Sequence, residues 1–356
     1  MVSALGTATM VKNNIILSII LLFSMLTTGK ASMVTKFDWL ASDSAPQSYP
    51  MEIVSGTLYF HDKGTLNVPS KKILHNGWGI SVSTHIVGDD TKSLPERLEI
   101  TFFSYTENQF YQGNFDLPYE KILKLFQAGY YSPKVSRNAN YNEVVVGIAP
   151  GGHVSVWLNG IDKTTEVFST QAEKLEGDWK EIIDNSDISR IDYIQGVLER
   201  RMKSEQLKEL NEKGVPLGLW ETYRKRYDWQ PEFTGLEAPD RIKRVIYFNG
   251  EDEYLYYPLD AEHVNKPLPI PQEMHFNWEW PKGRPLVFKL FFDEAEIFDA
   301  FNKLGSHGEP LKIEMRMVAN DKNETLFSVL LKNNKEEIFL KKTDLKNYGI
   351  PKKLAN

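Results

Sequence analysis

His85, Asp89 and Asp90 are the closest approach in this chain to a reactive constellation. A strand that ends in a turn can present an imidazole and two carboxylates to one cleft, for acid/base work or for metal ligation. The competing reading is a pair of turn-capping aspartates after an edge strand. The seven histidines, at 61, 75, 85, 153, 263, 275 and 307, have neither the helical pair spacing nor the adjacent acid of a zinc enzyme. Gly151 and Gly152 could hold an anion on backbone N–H groups, but no helix start follows them, so a hairpin turn is the simpler use of the pair. His153, directly after it, reads as a solvated strand residue beside Trp157. Gly305-Ser306-His307-Gly308 lacks the strand-to-helix elbow of an esterase and reads as a helix exit. Asp184-Asn185-Ser186-Asp187 lacks the loop glycine and distal glutamate of a calcium hand, and Asn323-Glu324-Thr325, a glycosylation pattern, reads as a turn. No catalytic residue, metal set or cofactor is expected, and the protein is read as a non-enzyme.

The stretch from Trp220 to Trp229 differs in kind. Trp220, Tyr223, Arg224, Arg226, Tyr227 and Trp229 combine the aromatic and arginine types that are enriched where proteins bind proteins. On a helix, Leu219, Tyr223 and Tyr227 would form one stripe with Trp220 and Arg224 beside it. Two uses are open: docking a helical segment between two sheet domains, or offering a surface to a partner protein.

These residues sit in a chain of 356, 41% hydrophobic and 25% charged, long enough for about two domains. The net charge is −6, which argues against nucleic-acid binding, since a phosphate backbone needs a basic face. The absence of cysteine excludes disulfides, thiolate metal sites, a cysteine nucleophile and an acylated N-terminal cysteine. Ile15 to Leu26 is an almost unbroken apolar run after Lys12, short for a membrane span, and Gly29 and Ala31 are small where a signal peptidase reads. Residues 1–31 are therefore expected to be a signal peptide, leaving a mature chain without a transmembrane span. Losing Lys12 and Lys30 makes that chain two charges more negative.

Short strand patterns separated by turn chemistry fill Met51 to Phe115, and Asp116, as N-cap, opens a helix carrying Tyr119, Ile122, Leu123 and Phe126 that stops at Gly129. Val144, Val146 and Ile148 then alternate into Pro150-Gly151, and Val154, Val156 and Leu158 alternate out, a hairpin extended by a strand near Lys163 to Phe168. Residues 178–230 have helical spacing, with expected helices around Trp179, Ile191 to Met202, and Leu207 to Leu210. Strand patterns return after Pro231, with Asn249-Gly250 as a hairpin turn. Phe292-Asp293, the helix to Gly305 and the alternating Ile313, Met315 and Met317 repeat the order found from Phe115-Asp116 onwards. The expected fold class is α+β: two mainly antiparallel sheet domains, 32–177 and 231–356, each with a strand-helix-hairpin unit, bridged by the helical segment 178–230.

Asn76-Gly77-Trp78-Gly79, Ser83 to Asp90, Leu98 to Tyr105, Phe115 to Pro133, Val146 to Gly160 and Gly218 to Tyr227 resemble a Gram-negative bacterial family, the domain of unknown function twenty-nine thirty-one, from about Phe37 to Val318. The resemblance implies an uncharacterised envelope protein, in a family with many lipoproteins and with members encoded near secretion-system toxins, and it brings no accepted active site. The expected function is that of an exported, periplasmic, non-enzymatic binding protein whose partner is another protein, an immunity role toward a toxin being one form of it. The alternatives are an envelope structural protein, or a hydrolase built on His85, Asp89 and Asp90.

Overall fold

The structure, a computed structural model, describes residues 35–85, 88–183, 188–235, 241–256, 263, 266–280, 284–306, 308–319 and 325–348. The expected signal segment, Asp184 to Asp187, His307 and Asn323-Glu324 lie outside the described residues.

In the first half β1 (Leu40–Ser44), β2 (Met51–Phe60), β3 (Pro95–Ser104) and β4 (Gln109–Asp116) lead to helix α1 (Tyr119–Ala128), and β5 (Glu143–Ala149), β6 (His153–Asn159) and β7 (Thr164–Gln171) follow it. The alternating valines pair as expected, Val144 with Leu158 and Val146 with Val156, and Gly151 closes the hairpin at φ 77°. That positive φ costs a glycine nothing, which is why the reversal falls at this pair. Helix α1 departs from expectation at its start: Pro118, not Asp116, is the N-cap, and no side chain caps the first turn. Asp116 is the last residue of β4 and pairs with Arg97 of β3, so its backbone belongs to the sheet.

Three helices follow, α2 (Arg190–Arg201), α3 (Ser204–Lys213) and the short α4 (Leu219–Tyr223). Ile194, Val197 and Leu198 of α2 pack with Val54, Phe103 and Phe110, so this helix covers the outer face of the β2-β3-β4 sheet. Helix α4 ends after one turn, and Tyr227 lies in a short strand, Arg226–Tyr227, paired with Leu268–Pro269. The expected stripe through Leu219, Tyr223 and Tyr227 is therefore not helical throughout; the backbone of Arg226 and Tyr227 is taken up by strand pairing instead.

The second half holds β8 (Trp229–Thr234), β9 (Arg241–Tyr247), β10 (Asp252–Tyr256), β11 (Pro271–Trp280), β12 (Arg284–Phe291), α5 (Glu294–Gly305), β13 (Leu311–Ala319), β14 (Thr325–Lys332), β15 (Glu337–Phe339) and β16 (Asp344–Tyr348). Asp293 caps α5, its Oδ1 accepting the Glu296 N–H at 3.0 Å. The two halves pair their strands alike. An antiparallel meander, β2-β3-β4 in one and β9-β11-β12 in the other, precedes the helix, and a second meander, β5-β6-β7 or β13-β14-β15, follows it. In each half the first strand, β1 or β8, runs parallel to the strand after the helix. Pro231 fits within β8 because β8 is an edge strand and a missing N–H on the open side breaks no ladder bond.

The β5-β6-β7 sheet of the first half and the β9-β11-β12 sheet of the second join into one ten-stranded sheet through β7 and β10, whose only registered pair is Thr164 with Asp252. One core, with Ile53, Leu98, Phe126 and Val146, lies within the first half; a second, with Val245, Phe276, Phe301 and Met315, is built mainly on the other half and takes in Ala149, Trp220 and Tyr223, with Tyr49 and Trp78 packed against it. The chain is thus α+β with mainly antiparallel pairing, and the described residues from Lys36 onward form one compact unit. Among the described residues no helix is long and apolar enough to cross a membrane.

Candidate functional site

The loop Asn76-Gly77-Trp78-Gly79 reaches from the first half onto the Asn249-Gly250 turn of the second. Gly79 and Gly250 both have positive φ, and their backbones are so close that a Cβ on Gly79 would fall 2.6 Å from the Gly250 Cα. Trp78 meets Trp157 edge to face at 4.7 Å and Trp220 at 6.4 Å, and the Trp157 Nε1–H donates to the Asn249 carbonyl at 3.0 Å. Glycines permit the backbone contact, and the indoles fill the space around it.

Charges lie below the aromatic layer. Glu166, only 8% exposed, accepts the Arg224 Nε–H at 3.0 Å and the Ser155 hydroxyl at 2.9 Å, while its own N–H donates to Glu251 Oε1 at 3.0 Å. Arg226 pairs with Glu251, and Asn249 Nδ2–H donates to the same carboxylate at 3.0 Å. Burial raises the pKa of Glu166, and the Arg224 guanidinium and the Ser155 hydroxyl pull it back. Every group in this network is engaged by another, and Ser155 is fully buried, so the neighbouring Ser155, His153 and Glu166 do not form a nucleophile open to substrate.

His153 corrects the sequence expectation of a solvated residue: it is buried, its ring 5.7 Å from Trp78, with Nε2 3.2 Å from the hydroxyls of both Ser155 and Ser169. The strand face carrying it was expected to meet water, but the Trp78 loop covers it. Burial pushes the imidazole down from 6.5 to about 4. A depressed pKa stabilises the fold fully above the unfolded value of 6.5, and that contribution is lost as pH falls through about 4. The loss should amount to roughly 3 kcal/mol, each pKa unit being worth about 1.4. Urea unfolding of wild type and His153→Asn across this range should show their difference in stability shrinking toward acid; a pH-independent difference would disprove it.

Above the junction opens a cleft of about 1130 Å³, lined from the first half by Tyr49, Trp78, Ile80 and Ile161, from the helices by Glu209 and Trp220, and from the second half by Arg244, Asp252 and Glu294. Ile80 is 55% and Ile161 45% exposed, so the cleft carries apolar side chains in water. Tyr49 stands edge-on to Trp220 at 5.5 Å, and the Tyr223 hydroxyl donates to Glu294 Oε1 at 2.8 Å.

The six residues expected at a partner surface divide. Trp220, Tyr223 and Trp229 are buried, the Trp229 Nε1–H donating to the Pro269 carbonyl at 2.9 Å, and their rings pack in the second core. Arg224, Arg226 and Tyr227 keep part of their surface, Tyr227 donating its hydroxyl to Asn302 at 3.0 Å. Trp220 and Tyr223 reach the cleft; the other four do not line it. Asp89 and Asp90 are exposed turn residues, and His85 pairs with Ala41 on the edge of the large sheet, its side chain lying outside the described residues. Among the described residues no three histidines or carboxylates gather as a metal site. The cleft residues contributed by loops, Tyr49, Ile80 and Ile161, carry no periodic signal and were not singled out from the sequence.

No curated protein and no solved structure matches the chain. One family model does, over residues 25–218, more than half of the chain and including the Trp78 loop, the β5-β6 hairpin and helices α2 and α3. The chain belongs to the family described as "Protein of unknown function (DUF2931)".

Proposed function

We propose that the protein is a non-enzymatic, exported binding protein that receives a partner protein in the cleft between its two halves. The observation that carries this reading is the cleft itself: both halves and the helical segment contribute to it, it exposes Ile80 and Ile161, and two of its charged groups, Arg244 and Asp252, are already paired with each other. Exposed apolar residues rimmed by polar ones are a usual feature of interaction sites. Export is supported by the apolar run Ile15 to Leu26 and the small residues that follow it, and a periplasmic address is part of the same reading. An immunity role toward an exported toxin is the particular form suggested by the family's neighbourhood.

The test compares wild type with Ile80→Asp/Ile161→Asp as bait in native envelope extract, with captured proteins identified by mass spectrometry. Both side chains are exposed, so the melting temperature should be unchanged. A stoichiometric partner that the double variant loses is the expected result. A partner held equally by both baits, or none above control, would sink the reading.

A further inference from the structure

Helix α3 runs along the cleft between two anchors and is itself held lightly. Met202, before it, is buried in the cluster that seats α2 on the first half, and Trp220, after it, is buried in the core built on the second half. From Lys203 to Leu219 no side chain is buried, the longest such run among the described residues. Gln206, Glu209, Leu210 and Lys213 of α3 line the cleft, and the half-buried Leu207 and Leu210 rest against the first-half cluster. The charged side chains Lys208 and Glu212, and Lys213 and Glu209, pair along the helix rather than across the cleft. What ties α3 to the opposite rim is Gln206, whose Nε2–H donates to the Ser48 hydroxyl at 2.7 Å. Ser48 also lines the cleft and adjoins Tyr49, so this bond lies at the aromatic end, beside Tyr49 and Trp220. The same glutamine caps the helix, its Oε1 accepting the Lys203 N–H at 2.8 Å.

Both ends of the segment are joints. Met202 and Lys203 are extended, with ψ of 148° and 155°, so α2 and α3 are separate rods. Gly214 and Gly218 have φ of 73° and 81°, and nothing lies within 4 Å of the place a Cβ would take at either, so the backbone can turn there without meeting a neighbour. An element with few buried apolar contacts opens at a fraction of the cost of global unfolding. We propose that residues 203–218 are a strap that swings off the cleft as one unit, admits a segment of the partner protein, and closes again through the Gln206–Ser48 bond. This role rests on the cleft being the binding site; the motion does not, and the test reads the two apart.

Native-state hydrogen exchange on the full-length protein measures the motion. Amides of residues 208–213 should exchange about a hundredfold or more faster than those of residues 197–202, with little response to low urea, because a local opening exposes little surface. Ser48→Ala should speed exchange in α3 about two- to tenfold, the worth of one neutral hydrogen bond, and leave α2 unchanged. The chain has no cysteine of its own, so Ser48→Cys/Gln206→Cys can be joined by a short bis-maleimide with a reducible spacer, the unjoined variant serving as control. Joining should slow α3 to nearly the rate of α2 and abolish capture of the partner from envelope extract, and reductant should restore both. A single exchange rate for α2 and α3, or no response of α3 to Ser48→Ala, overturns the strap. Undiminished capture by the joined protein overturns its role as a gate, while loss of the partner by Ile80→Asp/Ile161→Asp would still uphold the cleft.

Discussion

Arg224→Ala should destabilise the protein by about 3 kcal/mol at neutral pH, the lower end of the cost of leaving a buried carboxylate without its partner. The low end applies because a third of the Arg224 side chain reaches solvent, which screens the pair, while Glu166 is almost wholly buried. Without Arg224, burial acts on Glu166 with the Ser155 hydroxyl opposing it and the Glu251 charge adding to it, so its pKa rises further. A carboxyl whose pKa is raised in the folded state contributes stability below its unfolded value and loses it as pH rises through the folded one. The deficit of Arg224→Ala relative to wild type should therefore shrink as the solution is acidified, and the loss of the Arg224 charge, which helps hold the His153 imidazole down, acts in the same direction. Adding Glu166→Gln removes the charge, keeps an acceptor for Ser155 and should restore most of the loss. Urea unfolding of the three proteins at several pH values checks this; a deficit that stays constant with pH would show that Arg224 acts only through packing.

Trp157→Ala should cost about 3–5 kcal/mol, the range for emptying a well-packed tryptophan site. Trp157 is fully buried, meets Trp78 from the family-matched loop, and bonds the Asn249 carbonyl, so one side chain of β6 holds both the loop and the turn of the other half. Trp157→Phe separates the two contributions: it keeps most of the ring but leaves the Asn249 carbonyl without its donor, a loss of about 1–3 kcal/mol. A site that had little to do with joining the halves would show a small loss for Trp157→Ala, and an unchanged capture of partner would show that the cleft above it does not depend on this layer. Both losses are read from urea midpoints at constant slope.

Three helix or strand expectations show how far local pattern reaches. Ile191 to Met202 repeats at helical spacing and forms α2; Ile313, Met315 and Met317 alternate and form β13 with those three side chains buried. Asp293 followed by three good helix formers caps α5, while Asp116 in a similar setting remains in β4 because Arg97 of β3 offers its backbone a strand partner. The strands β1 and β8 escaped notice. Both are short, β1 carries Ser42, Asp43 and Ser44, all fully buried, and β8 contains a proline; each is held by parallel pairing with a strand about a hundred or eighty residues further along, a contact that local spacing does not encode.

What the chain determined by itself was the placement of periodic elements: the valine hairpin around Gly151, the helices of residues 190–213, the second strand-helix-hairpin order after Phe292, and membership of its family through the Trp78 loop and its neighbours. Only the tertiary structure decided that the two halves share a ten-stranded sheet, that His153, Trp220, Tyr223 and Trp229 are interior, and that Glu209 and Glu294 face one cleft. The physical reason is range. Periodicity reports which face of an element is apolar, but which apolar face covers which, and which charges then meet, depends on contacts between segments far apart in sequence, and these form only when loops such as Asn76 to Ser81 and turns such as Asn249-Gly250 come together.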